Sequence, residues 1–305
     1  MTNSFLFYSA ERLLTLIDRH EGLSRVSDVV MKAEEELTGH KPEEILANAI
    51  DRLRVMKQAK DKGMEVTTSP SGMVKDEAKR MQTMIEDDQM LLSPLMIKAN
   101  SWALAVMSCS AVMGTIVAAP TAGSSGIIPG CLLALQEDRG LDDETTARGL
   151  LTAAGIGMII AHISTFSAAK AGCQAEVGAS SAMAAAAISE VRGMTPQQCI
   201  QAASLTLKNM LGLACDPIAG LVEVPCIKRN GMGVSAAMTA SDMAYAGITS
   251  VVPFDEVVEA MNNVAKNMNS AIRETSMGGL AISETGKKIS EKLYTIGSPS
   301  VPVEL

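Results

Sequence analysis

Three short segments carry the residues whose types and spacing could do chemistry: Gly172-Cys173-Gln174-Ala175-Glu176-Val177-Gly178, Ala214-Cys215-Asp216-Pro217-Ile218-Ala219-Gly220 and Val224-Pro225-Cys226-Ile227-Lys228-Arg229-Asn230. Each cysteine has Gly or Pro close by and so sits in or beside a turn. A thiolate is both a nucleophile and a metal ligand. Steps of 42 residues (173 to 215) and 11 residues (215 to 226) match neither a zinc finger nor a ferredoxin, which use short Cys-x-x-Cys steps. Spacing alone therefore leaves two readings open, a metal site and three core cysteines.

Other segments could seat a substrate. The run Pro120-Thr121-Ala122-Gly123-Ser124-Ser125-Gly126 precedes the apolar stretch Ile127 to Leu135. Backbone N–H groups of such a Gly/Ser turn at a helix start can bind a carboxylate, although the same pattern also serves as a plain N-cap. Arg229 and Asn230 follow Cys226 closely enough to reach a ligand there. Thr68-Ser69-Pro70-Ser71-Gly72 is punctuated by Pro and Gly, and Ser69 and Ser71 offer hydroxyls. A general base is harder to find. His20 and His40 fall in a charged region and are expected to be solvated, while His162 lies in an apolar stretch eleven residues before Cys173. It reads either as a near-core residue or as the catalytic base. Cys109, Cys131 and Cys199 lie in helical runs and are expected to be buried small hydrophobes.

From about Thr67 to Gly279 the chain resembles the α subunit of the bacterial iron–sulfur L-serine dehydratases. The resemblance is carried by Thr68 to Gly72, Ala119 to Pro129, the Gly172 segment, the block Cys215 to Asn230, and Arg273-Glu274-Thr275. It implies that Cys173, Cys215 and Cys226 hold a 4Fe-4S cluster. Three thiolates leave one iron free to act as a Lewis acid on the β-hydroxyl of L-serine. Elimination would give aminoacrylate, which hydrolyses to pyruvate and ammonia. Ser69, Ser71, Thr121, Gly123, Ser124, Ser125, Arg229 and Asn230 are then the expected substrate-binding residues, with His162 a catalytic candidate. The resemblance also implies a separate β subunit carrying a histidine motif that this chain lacks. Two other readings stand beside this one: an L-cysteine desulfidase, and a non-catalytic iron–sulfur structural subunit.

The elements that must position these residues are helices. Aromatic residues make up 3%, and the helix formers Ala, Leu, Met and Glu are abundant. The fold class expected is all-α, with helices packed around a buried iron–sulfur site. Residues 1–66 read as an N-terminal helical layer, 67–290 as the iron–sulfur catalytic domain, and 291–305, with Pro299 and Pro302, as an extended tail. Helices are expected to open at Ser9, at Lys41-Pro42, at Thr195-Pro196 (running to about Leu211) and at Phe254 (running to about Met268). The amphipathic layer from 9 to 61 and the Thr67 to Gly72 loop are the expected docking surface for the β subunit.

A net charge of -8 offers no footprint for nucleic acid. Trp102 to Ala119 and Leu150 to Phe166 are long enough for a membrane span but rich in Ala, Gly, Ser and Thr, which favours buried helices. No secretory signal is visible at Met1 to Leu6, so a cytoplasmic location and six reduced cysteines are expected.

Overall fold

An excess of helix formers over sheet formers becomes thirteen α-helices in the computed structural model, which describes residues 4–86 and 90–296. No strand occurs among the described residues; extended pairing is limited to the isolated bridges Thr68 with Lys75 and Cys215 with Arg273. The all-α expectation holds.

The first three helices are α1 (Ala10–Arg19), α2 (Val26–Thr38) and α3 (Pro42–Met64). Ser9 caps α1 by accepting the Arg12 N–H at 3.1 Å, and Pro42 starts α3 where its missing N–H costs nothing. Each turns one apolar stripe inward: Leu13 and Leu16 from α1, Val26, Val29 and Val30 from α2, and Ile45, Ala49, Leu53 and Met56 from α3 are buried. Fully burying a side chain such as Leu53 contributes about 1.5–3 kcal/mol. These residues share one continuous core with the helices that follow.

After the short α4 (Glu77–Thr83) come α5 (Pro94–Ala111), α6 (Ile127–Arg139), α7 (Asp143–Ile163) and the single turn α8 (Ala168–Ala171). Then follow α9 (Ala179–Val191), α10 (Pro196–Lys208), α11 (Cys226–Tyr245), α12 (Phe254–Asn267) and α13 (Glu284–Ile296). The sequence of α9, Ala-Ser-Ser-Ala-Met-Ala-Ala-Ala-Ala-Ile-Ser-Glu-Val, has no polar face. It is buried from Ala179 to Glu190, with α6, α7, α10 and α11 against it. Small side chains allow that close approach, and Ser181 and Ser189 satisfy their hydroxyls on the carbonyls of Val177 and Ala185.

The helix starts expected at Thr195 and Phe254 are found. Thr195 and Gln198 form a reciprocal capping box over Pro196. The helix ends at Lys208, short of Leu211, because the chain turns at 209–212 toward Cys215. One helix, α7, is long and apolar enough to cross a membrane by length and composition, and 61% of its most apolar window is buried inside the protein. Residues 291–296 continue α13, so the segment expected to be extended begins as helix; Pro299 and Pro302 lie outside the described residues.

Candidate active site

The three cysteines reach one place through three different local devices. Gly172 has φ 71°, and a Cβ there would lie 2.6 Å from Met268 Sδ and 2.8 Å from the Leu213 carbonyl, so only glycine fits. The Cys173 carbonyl then accepts N–H groups from Val177 (2.8 Å) and Gly178 (3.3 Å), which winds Gln174–Gly178 into a π-turn leading into α9. Such turns re-aim side chains and recur at functional sites. Gln174, fully buried, holds the turn to the chain before Cys215: its Oε1 accepts the Gly212 N–H at 2.9 Å. Cys215 donates its N–H to the Ile272 carbonyl and accepts from Glu274, both at 2.8 Å. Cys226 is the first residue of α11.

The Sγ atoms of Cys173 and Cys215 and a carboxylate oxygen of Glu176 all lie within 4.8 Å of one another, a group that could hold a metal ion. Cys226 is near enough for their charges to interact. None of the six cysteines is in a disulfide.

Electrostatics distinguishes the three thiols. Cys173 is lowered from the ordinary thiol range, first by a hydrogen bond from Cys215 and, against its burial, by the charge of Arg229. Cys215 is raised, first by that same hydrogen bond and then by burial and the charge of Cys173. Cys226 is pushed up to about 12, by burial and then by repulsion from Cys173. Burial alone would lower Arg229, but the charges of Cys173 and Asp216 outweigh it and raise it. Arg229 donates to Cys173 Sγ at 3.5 Å, to the Ala214 carbonyl at 2.7 Å and to Asp216 Oδ1 at 2.9 Å. One arginine thus supports one thiolate, that of Cys173.

A lattice of buried polar side chains surrounds the thiols. Asn230, with no exposed surface, accepts the Gly126 N–H at 3.0 Å and donates to the carbonyls of Gly123 and Cys226, both at 2.9 Å. It ties the 120–126 loop to α11. Within that loop Ser124 Oγ meets Thr121 Oγ1 at 3.1 Å, and Ser125 Oγ donates to the Ala122 carbonyl at 2.9 Å. These hydroxyls and the Asn230 amide shape the loop from inside. The N–H groups of Ala122 and Gly123 have no acceptor among the described residues. Glu176 reaches the same loop, its Oε2 3.0 Å from where a Cβ on Gly123 would lie. Burial raises the Glu176 carboxyl, with the Thr121 hydroxyl beside it acting in the opposite direction. Ser69 and Ser71 donate to the buried carboxylate of Glu223 at 2.8 and 2.5 Å, so their loop is fastened three residues before Cys226.

Cys173, Cys215, Cys226, Arg229, Asn230, Thr121, Gly123, Ser124 and Ser125 are therefore assembled in one region, with Ser69 and Ser71 joined to it through Glu223. His162 is placed differently. It is exposed in the last turn of α7, stacked on Tyr8 with ring centroids 4.5 Å apart, and is not among the groups that shift the thiols. Ala154, Ala161 and His162 form the outward stripe of an otherwise apolar helix, which explains why composition suggested burial. His40 is exposed and His20 bonds the Leu16 carbonyl. Sequence reasoning did not single out Glu176, Asp216 or Glu223. Each lies inside or beside a quoted cysteine segment, but its partner is distant in sequence.

Two thiols and a carboxylate, with the Cys226 thiol near enough to feel their charge, form a donor set that could hold a metal. A closed zinc site would use four N or S ligands, whereas the remaining thiols, Cys109, Cys131 and Cys199, sit on α5, α6 and α10. Burial raises Cys131 and Cys199.

A family model described as serine dehydratase alpha chain matches residues 21–281. The probable L-serine dehydratase alpha chain of Bacillus subtilis is 45% identical, covering 95% of this chain and 96% of that one. The L-serine dehydratase alpha chain of Peptoniphilus asaccharolyticus is 44% identical, covering 87% and 91%. The L-serine dehydratase of Streptomyces coelicolor is 36% identical over 90% of this chain but only 61% of its own length.

Proposed function

The chain belongs to the serine dehydratase alpha chain family, and from that premise we propose how its residues work. It is an L-serine ammonia-lyase subunit, converting L-serine to pyruvate and ammonia. The observation that supports this reading is the grouping of the Cys173 and Cys215 thiols with the Glu176 carboxylate, with Arg229 on Cys173 and the Cys226 thiol near enough to feel their charge. Cys173, Cys215 and Cys226 would hold a 4Fe-4S cluster, which when bound supplies an iron that acts as a Lewis acid toward a hydroxyl group.

The chain's own residues do the rest. The N–H groups of Ala122 and Gly123 bind the substrate carboxylate, and Asn230 keeps that loop at a fixed distance from the thiols. Arg229 balances the negative charge on Cys173 while Asp216, which also accepts the Leu280 N–H at 2.8 Å, holds the guanidinium in place. Glu223 fastens the Ser69 to Ser71 loop beside Cys226, which helps exclude water from the site. Every candidate site residue falls within 67–290 and none in the 1–66 layer, with His162 outside the cysteine region.

The base that removes the α-proton enters with a β chain. His20, His40 and His162 lie away from the thiols, and the Streptomyces coelicolor relative has a further two-fifths of chain beyond the matched part. The amphipathic stripes of α1 to α3 are already spent on the protein's own core, which argues against that layer as the docking surface. Exposed Leu221, Val222, Met277, Leu280 and Ile282 fit the β chain better. They flank the site on loops joined by the Ser276 to Pro217 hydrogen bond of 2.9 Å. The desulfidase and structural-subunit readings find no support in the relatives' names. Six unpaired thiols suit a reducing cytoplasm.

The test is pyruvate release by the anaerobic, iron-loaded chain with and without its β chain. The pair turns over L-serine, and the chain alone is slower by about 100- to 10,000-fold, the usual contribution of a placed acid–base group. Full turnover by the chain alone would put the base within these 305 residues.

A further inference from the structure

Glu176 has no role in the reading above, yet it occupies the middle of the site. Its carboxylate lies within 4.8 Å of both Cys173 Sγ and Cys215 Sγ, and its Oε2 lies 3.0 Å from where a Cβ on Gly123 would stand. It therefore spans the gap between the thiols and the loop that offers two open N–H groups. The π-turn puts it there, since Glu176 is the third residue after Cys173 in a turn that α-helical winding would have closed differently.

The neighbouring buried carboxylates are provided for. Asp216 takes Arg229 and the Leu280 N–H, and Glu223 takes two serine hydroxyls. Glu176 has the Thr121 hydroxyl beside it and enters no ion pair among the described residues. A half-buried carboxylate without a counter-charge is unfavourable unless a cation arrives. A free α-amino acid supplies one: its carboxylate suits the Ala122 and Gly123 N–H groups, and its ammonium suits the carboxylate on the other side of Gly123.

We infer that Glu176 accepts the α-ammonium of the substrate, and so selects amino acids over hydroxy acids of the same size. The inference rests on the L-serine reading and names the group that makes the site specific for an amino acid. Charge-assisted hydrogen bonds of this kind change affinity by about 10- to 100-fold.

The experiment compares the iron-loaded complex of chain and β partner with its Glu176→Gln variant, using iron analysis and calorimetry. Two probes serve: L-alanine, which carries the ammonium but has no hydroxyl to eliminate, and 3-hydroxypropanoate, which keeps hydroxyl and carboxylate but lacks the ammonium. The variant is expected to keep wild-type iron, to bind L-alanine about 10- to 100-fold more weakly, and to bind 3-hydroxypropanoate equally or better. Unchanged L-alanine affinity, or a parallel loss for both probes, would overturn the assignment. Loss of iron would overturn it too, by making Glu176 a metal ligand. Absence of pyruvate release from L-serine by the wild-type complex would instead defeat the dehydratase reading, which the two probes do not measure.

Discussion

Two sets of three cysteines divide this molecule, and burial does not tell them apart. Cys173, Cys215 and Cys226 are 1%, 2% and 4% exposed; Cys109, Cys131 and Cys199 are 0%. Their company differs. The second set sits inside α5, α6 and α10, where burial raises Cys131, and burial followed by the charge of Glu190 raises Cys199. The first set sits at backbone irregularities: a left-handed glycine with a π-turn, an isolated bridge, and a helix start. There Arg229 reaches Cys173, and Asp216, Asn230 and Glu176 crowd around. A thiol becomes a ligand through the charges and turns around it, since apolar burial alone favours the neutral form.

The comparison breaks most sharply under substitution of the cysteines themselves. Serine at Cys173, Cys215 or Cys226 is expected to abolish bound iron and sulfide together with turnover, whereas Cys109→Ala, Cys131→Ala and Cys199→Ala keep both. Metal analysis after anaerobic reconstitution checks this, and a full iron complement in any one of the first three variants would count against the ligand set.

A smaller effect is expected from Asn230→Ala, which leaves the Gly126 N–H and the Gly123 carbonyl without their partner. An unsatisfied buried group costs about 1–3 kcal/mol. Displacement of the carboxylate loop should lower turnover about 100-fold, the scale set by a misplacement of roughly 1 Å. Iron should stay bound, so the readout is activity per iron together with the denaturation midpoint. Unchanged activity would mean that the loop is not the carboxylate seat.

The smallest effect belongs to the second set. Cys199→Ala is expected to cost about 1 kcal/mol of stability and nothing in activity per iron.

Much of this contrast was legible in the sequence, and the reason is local. Helix starts at Ser9, Pro42 and Thr195 and the inward stripes of α1 to α3 are encoded within a few residues, as are the Gly and Pro that mark Cys173, Cys215 and Cys226 as lying near turns. Partnerships across long separations were not legible. Ser69 and Ser71, read as substrate contacts, have hydroxyls that meet Glu223, about 150 residues away, a partnership the sequence does not show. Asn230, read as a substrate-binding residue from its place after Cys226, also ties α11 to a loop over 100 residues earlier, which the sequence does not show. His162 sits in an apolar stretch but on its outward stripe, a distinction that helical phase carries and composition does not.

The central claim is that the first set holds a cluster with an iron open to the substrate hydroxyl. Mössbauer spectra of the 57Fe-loaded complex, recorded anaerobically before and after L-serine is added, address it directly. The account predicts one iron subsite distinct from the other three, shifting when L-serine binds while the rest stay unchanged. Four equivalent irons that do not respond to L-serine, in a preparation that still releases pyruvate, would contradict it.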